Sequence, residues 1–159
     1  MTVSVKVDLR GSLGSVRDQG NRPTCLSQAT TLAHEHCRGS KVALSPEYLH
    51  FFASDRRPAN AVNMKDMSTA LKKDGQPREV DCPYLAAPPQ PGWKPPRGAQ
   101  VFRRKSTFRS ASAADVRAVI RAGHLPVIAI RLPRPFYYPQ APFIIPAQGP
   151  FTPTMPLEP

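Results

Sequence analysis

Sixteen of the chain's 20 prolines lie at or beyond Pro83, in a sequence of 159 residues. Proline fixes φ and offers no N–H, so it breaks helix interiors and is kept out of central strands. The chain therefore has two textures, a helix-compatible first half and a proline-broken second half. The stretch from Pro83 to Pro96 reads Pro-Tyr-Leu-Ala-Ala-Pro-Pro-Gln-Pro-Gly-Trp-Lys-Pro-Pro. It predicts an extended connection between two parts of the molecule, anchored by Trp93. Nine prolines fall in the last 27 residues, where no regular element is predicted.

Before the prolines the periodicities are plain. Val3, Val5 and Val7 alternate with polar residues, a short strand signal over 3–8. Gly11, Gly14 and Gly20 punctuate a loop ending at Pro23-Thr24. A helix follows over about 25–36, with Thr24 as N-cap and Leu26, Ala29, Thr30, Leu32, Ala33 and Cys37 on its apolar side. Ser45-Pro46-Glu47 opens a second helix, serine capping it and proline filling the first position, where its missing N–H is not needed. Tyr48, Leu49, Phe51 and Phe52 form its buried side. After a polar loop over 55–62, a third helix over 64–73 carries Met67, Ala70 and Leu71 and stops at Asp74-Gly75. Further on, the pattern predicts a strand over 99–108 and a helix over 113–122 with Val116, Val119 and Ile120 at helical spacing. The apolar run 126–130 predicts a buried strand.

The formal charge is +11, from 22 Lys and Arg against 11 Asp and Glu. The basic residues come as scattered pairs, such as Arg56-Arg57 and Lys72-Lys73, without a basic helix or an aromatic-interleaved stripe. That distribution argues against a nucleic-acid partner despite the charge. No apolar run reaches the roughly 18 residues of a membrane span. The start shows no basic segment leading into an apolar one, so no signal peptide is visible and the expected compartment is the cytoplasm. Unconventional export stays open. Three cysteines leave at least one thiol unpaired, and without a secretory signal a disulfide framework is not expected.

Cys25 is the residue with chemical promise. A thiol becomes a strong nucleophile as thiolate, and unpaired N–H groups at a helix N-terminus favour negative charge there. Gln19, six residues earlier on a glycine loop, places an amide where it would pair with the Cys25 N–H as an oxyanion hole. Cys37 and Cys82 have neither the loop nor the helix start and read as small buried hydrophobes.

The segment Arg17-Asp18-Gln19-Gly20-Asn21-Arg22-Pro23-Thr24-Cys25 resembles the nucleophile loop of papain-like cysteine peptidases, closest to the bacterial branch of that family. Leu44-Ser45-Pro46-Glu47-Tyr48-Leu49, Ala70-Leu71-Lys72-Lys73-Asp74-Gly75, Cys82-Pro83-Tyr84 and Gly123-His124-Leu125-Pro126-Val127-Ile128 resemble later segments of the same family in order. The likeness runs from about Val7 to Tyr138. It implies an α+β papain-like fold, a helical first lobe over 1–85 and an incomplete β-rich second lobe over 86–159 that begins with the proline-rich connection. It implies Cys25 as nucleophile and Gln19 as oxyanion donor, with no metal and no cofactor. Gly20, Thr24, Asn63, Met64 and Met67 would contact a peptide or protein substrate, the two methionines standing near the place of the family's glycine pair.

A base is the missing part. His34 and His36 lie on the nucleophile's own predicted helix, about 13–16 Å along its axis at roughly 1.5 Å per residue. His50 sits among Tyr48, Phe51 and Phe52, where a packed histidine is the plainer role. His124 precedes the 126–130 run, well ahead of the family's histidine position. The resemblance places that histidine just beyond 151–156, and an orienting Asn or Asp further on. The expectation is thus a truncated form with weak or no activity alone, or a chain completed by a second polypeptide. The alternative is a non-catalytic peptide- or partner-binding module on the same scaffold.

Overall fold

The computed structural model describes residues 6–39, 41–57 and 60–129. Four α-helices order them: α1 Cys25–Arg38, α2 Pro46–Ala53, α3 Met64–Lys73 and α4 Ala113–Arg121, with short 3-10 turns at Arg10–Ser12 and Glu79–Asp81. Three starts follow from side-chain caps that satisfy an otherwise orphaned N–H. Ser45 Oγ accepts from Tyr48 N at 3.0 Å, and Asn63 Oδ1 accepts from Asp66 N at 2.9 Å. Ser112 and Asp115 cap α4 reciprocally. Glycines end three of the helices: Gly39 follows α1 at φ 62°, Gly75 follows α3 at φ 73° and Gly123 follows α4 at φ 78°, the left-handed region that side chains with a Cβ avoid.

The apolar core lies between α2 and α3. Leu49 and Ala53 pack against Met67, Ala70 and Leu71, with Leu26, Phe52 and Val62 at its margin. The buried face of α1 is different. Ser27, Thr30, Thr31, His34 and Glu35 are its buried residues, at helical spacing but all polar. The predicted apolar side of α1 turns inward only in part: Thr30 is buried and Leu26 meets the core margin, but Leu32, Ala33 and Cys37 are half-buried and Ala29 is exposed. The polar face is tolerated because its groups are paired. Gln76 Nε2 donates to Thr31 Oγ1 at 2.6 Å and to Ser45 O at 2.9 Å, while Gln76 Oε1 takes the His34 Nδ1–H at 2.8 Å. Arg17 donates to both oxygens of Glu35 at 2.7 and 3.1 Å and to Glu79 at 3.0 Å. Glu35 in turn accepts from Leu44 N at 2.6 Å.

The expected α+β papain-like fold with a β-rich second lobe is not what the chain adopts. Among the described residues there is no strand and no sheet, only two single-residue antiparallel bridges, Leu44 with Arg78 and Gln76 with Phe102. Gln76 and Phe102 exchange both backbone bonds, at 2.8 and 2.9 Å, but the ladder cannot lengthen. Gly75 at φ 73° has left the extended region on one side, and Pro77 brings no N–H on the other. Ser45 already caps α2, so the Leu44 pairing stops there too. The strand predicted over 99–108 therefore shrinks to Phe102. Residues 6–8 of the first predicted strand are unpaired, its earlier residues lying outside the described ones. Residues 126–129 form no strand, and 130 is outside the described residues, as is the proline-rich end.

The chain divides into two compact units, Met1–Val127 and Ile128–Pro159, whereas the sequence suggested a boundary at 85/86. The proline-rich connection stays with the helices because Trp93 stacks edge-on against Phe51, ring centroids 5.5 Å apart. Of the second unit only Ile128 and Ala129 are described. Among the described residues no helix is long and apolar enough to cross a membrane.

Candidate active site

Cys25 occupies the first position of α1 and its thiol is exposed. Alone among the four α-helices described, α1 has no side-chain cap and no other described side chain in its place. Thr24 is buried at the N-cap, but its hydroxyl is turned to Tyr84 Oη at 2.7 Å. Tyr84 spends its own proton on Gln19 O at 2.9 Å, so Thr24 is the donor in that pair. The first-turn N–H groups beside Cys25 are thereby left for whatever meets the thiol. Gln28, one turn along, has a buried amide with neither nitrogen nor oxygen hydrogen-bonded.

The loop that carries Cys25 is pinned from beneath. Arg22 is 2% exposed and Glu47 fully buried. They form a bidentate pair at 2.5 and 2.9 Å. Arg22 also donates to Leu85 O at 2.7 Å, and Glu47 accepts from Leu85 N at 3.2 Å. The Arg22 guanidinium lies 5.0 Å from the centre of the Tyr84 ring. One ion pair thus ties the loop before α1, the start of α2 and the chain near residue 85. Gln19 donates one amide proton to Arg22 O at 2.9 Å. A primary amide has two protons, so one remains for an oxyanion. Gly20 sits at φ 58° on the exposed side of this loop, its N–H donating to Asp18 Oδ1 at 2.8 Å.

Three of the four histidines are engaged elsewhere. Among the described residues no imidazole is hydrogen-bonded to Cys25. His50 is buried with Nδ1 2.9 Å from Ser27 Oγ. His34 is 3% exposed, and burial holds its pKa below the ordinary value despite the Gln76 bond. His36 donates from Nε2 to Gly123 O at 2.8 Å, and His124 is exposed in the turn after α4. The remaining thiols are structural in setting: Cys37 is half-buried, and Cys82, 1% exposed, has its pKa pushed up by burial.

Three of the residues predicted to line a substrate wall stand together at the start of α3 but in different settings. Asn63 is exposed and serves α3, its amide also donating to Asp66 Oδ2 at 2.6 Å. Met64 is half-buried at the first position of α3. Met67 is 2% exposed inside the α2–α3 core and cannot present itself to a substrate. Arg22, Glu47 and Tyr84 went unrecognised in the sequence as the supports of the loop. Glu47 was visible there only as part of a helix start and Tyr84 as part of a motif, and nothing in their spacing predicts that they meet. A scan against models of protein families and a search of curated proteins give no match to this chain.

Proposed function

We propose that Cys25 is the nucleophile of a cysteine-type peptidase site of which this chain supplies half, with Gln19 and the Cys25 N–H as donors to the oxyanion. The observation that carries the reading is an exposed thiol on an uncapped helix start, fixed by the buried Arg22–Glu47 pair. In this reading the sulfur attacks the substrate carbonyl carbon, a C–S bond forms and negative charge collects on the carbonyl oxygen. Expulsion of the amine then requires a proton, the task of a histidine in such enzymes. Among the described residues nothing is poised at Cys25 to deliver it, and the expected outcome of a peptide-cleavage assay on this chain alone is little or no turnover.

A peptidyl acyloxymethyl ketone tests the half-site without needing that proton, because its leaving group is a carboxylate. The expected result is labelling of Cys25 about ten-fold or more faster than Cys37, slowed about ten-fold by Gln19→Ala, whereas iodoacetamide labelling is unchanged by that substitution. Equal peptidyl labelling of both thiols would sink the proposal. The second reading, peptide binding without cleavage, draws on the lack of an imidazole at the thiol among the described residues. It requires peptide affinity to survive Cys25→Ala, measured by calorimetry.

A further inference from the structure

A cavity of about 440 Å³ opens beside the C-terminal end of α2, between that end and residues 94–99. Its walls include the rings of Tyr48, Phe51 and Phe52 and the cationic side chains of Arg56, Lys94 and Arg97, and no carboxylate is among its lining residues. The volume is that of a small-molecule site, for which roughly 300–1,000 Å³ is usual. The aromatic wall is held in place: Phe52 packs on Tyr48 at 4.9 Å and edge-on against Phe51 at 5.2 Å, and Phe51 meets Trp93 at 5.5 Å.

The cations are uncommitted. Among the described residues Arg56, Lys94 and Arg97 form no salt bridge. Asp74 is the carboxyl group that feels Arg56, but burial raises its pKa and it is shared with Lys73 and Arg103. Arg56 also reaches its place at a conformational cost. Asp55 and Arg56 stand at φ 52° and 62°, the left-handed region where a residue other than glycine is strained by about 1 kcal/mol or more. The Arg56 N–H closes that turn on Phe51 O at 2.8 Å, and its guanidinium stands 5.9 Å from the Phe52 ring centre.

We propose that this cavity binds a small organic anion, a single carboxylate or phosphate carried on a flat apolar ring system. The ring lies against Phe52 and Tyr48, and the anionic group sits among Arg56, Lys94 and Arg97. The inference stands apart from the chemistry of Cys25.

Calorimetric titration of the full chain with 2-naphthoate and 2-naphthyl phosphate tests it, with 2-naphthylmethanol and inorganic phosphate as the two halves of the ligand. Both aryl anions are expected to bind one to one, and each half about ten-fold or more weaker. The double variant Lys94→Gln/Arg97→Gln, both positions being exposed, is expected to weaken naphthoate about ten-fold, and Phe52→Leu to weaken it as well. Three results would overturn the assignment: the neutral alcohol binding as tightly as naphthoate, naphthoate binding unchanged in a folded double variant, or no heat from either anion at millimolar concentration. Preferential, salt-sensitive binding of a single-stranded oligonucleotide in place of the aryl anions would also overturn it and assign the cations to a polyanion.

Discussion

Arg22 and Glu47 face each other almost wholly buried, joined by two parallel hydrogen bonds, while Arg22 Nε is buried without a hydrogen-bond partner. A buried pair of this kind is expensive to break from one side, since the survivor keeps its desolvation penalty without its partner. Glu47→Ala is therefore expected to lower the unfolding free energy by about 3–5 kcal/mol. The double substitution Arg22→Met/Glu47→Leu should recover most of that loss, because neither side then buries a charge. Urea denaturation of the three proteins decides it, and a loss below about 1 kcal/mol in the single variant would mean that water reaches the site. Nothing about Arg22 in the sequence sets it apart from 21 other basic residues. Its importance comes from burial, which only the packing of distant segments creates.

Helix starts and stops were legible because the signals are local. Ser45-Pro46 and Asn63 act within one turn of themselves, and α3 spans the predicted 64–73. The inward face of α1 was not legible, because serine, threonine, histidine and glutamate read as solvent-facing until partners such as Gln76 and Arg17 arrive from elsewhere. The Gln76–Phe102 bridge depends on one glycine. A Cβ on Gly75 would stand 2.5 Å from Phe102 O, at φ 73°. Gly75→Ala should therefore destabilise the protein by about 2 kcal/mol or more. It should also speed hydrogen exchange at the Gln76 and Phe102 amides, which bond to each other's carbonyls across the bridge. Unchanged protection of those two amides would show that the backbone yields without opening the pair.

Across the molecule, buried polar groups make stability depend on pH. His34 is kept neutral by burial, with Arg38 and Arg104 acting in the same direction and Gln76 and Glu35 against it. In the unfolded chain the imidazole takes a proton near its ordinary value of 6.5. Below that pH the unfolded state holds more protons than the folded one, so stability falls as pH falls. The denaturant midpoint is thus expected to drop between about pH 7 and pH 5. His34→Gln should lower stability at neutral pH while making that drop shallower. Parallel pH profiles for the two proteins would remove His34 from the account. Within the first unit the Phe51–Trp93 stack holds the proline-rich stretch to α2, and the Gln76–Phe102 bridge holds residue 102 to the turn after α3.

The sequence by itself determined the four helices, the Ser45 cap of α2, and Cys25 at the head of α1, since each rests on residues within a turn of one another. The cap expected of Thr24 does not form, because Tyr84 takes its hydroxyl. It also carried the likeness of the Gln19–Cys25 loop to a peptidase loop. Tertiary structure alone decided that no sheet forms among the described residues, because Pro77 and Gly75 limit pairing to single bridges. It alone decided that Met67 belongs to the core, that α1 turns a polar face inward, and that Arg56, Lys94 and Arg97 share one cavity with three rings. Burial and long-range pairing set those outcomes, and neither is encoded in any short stretch of the chain.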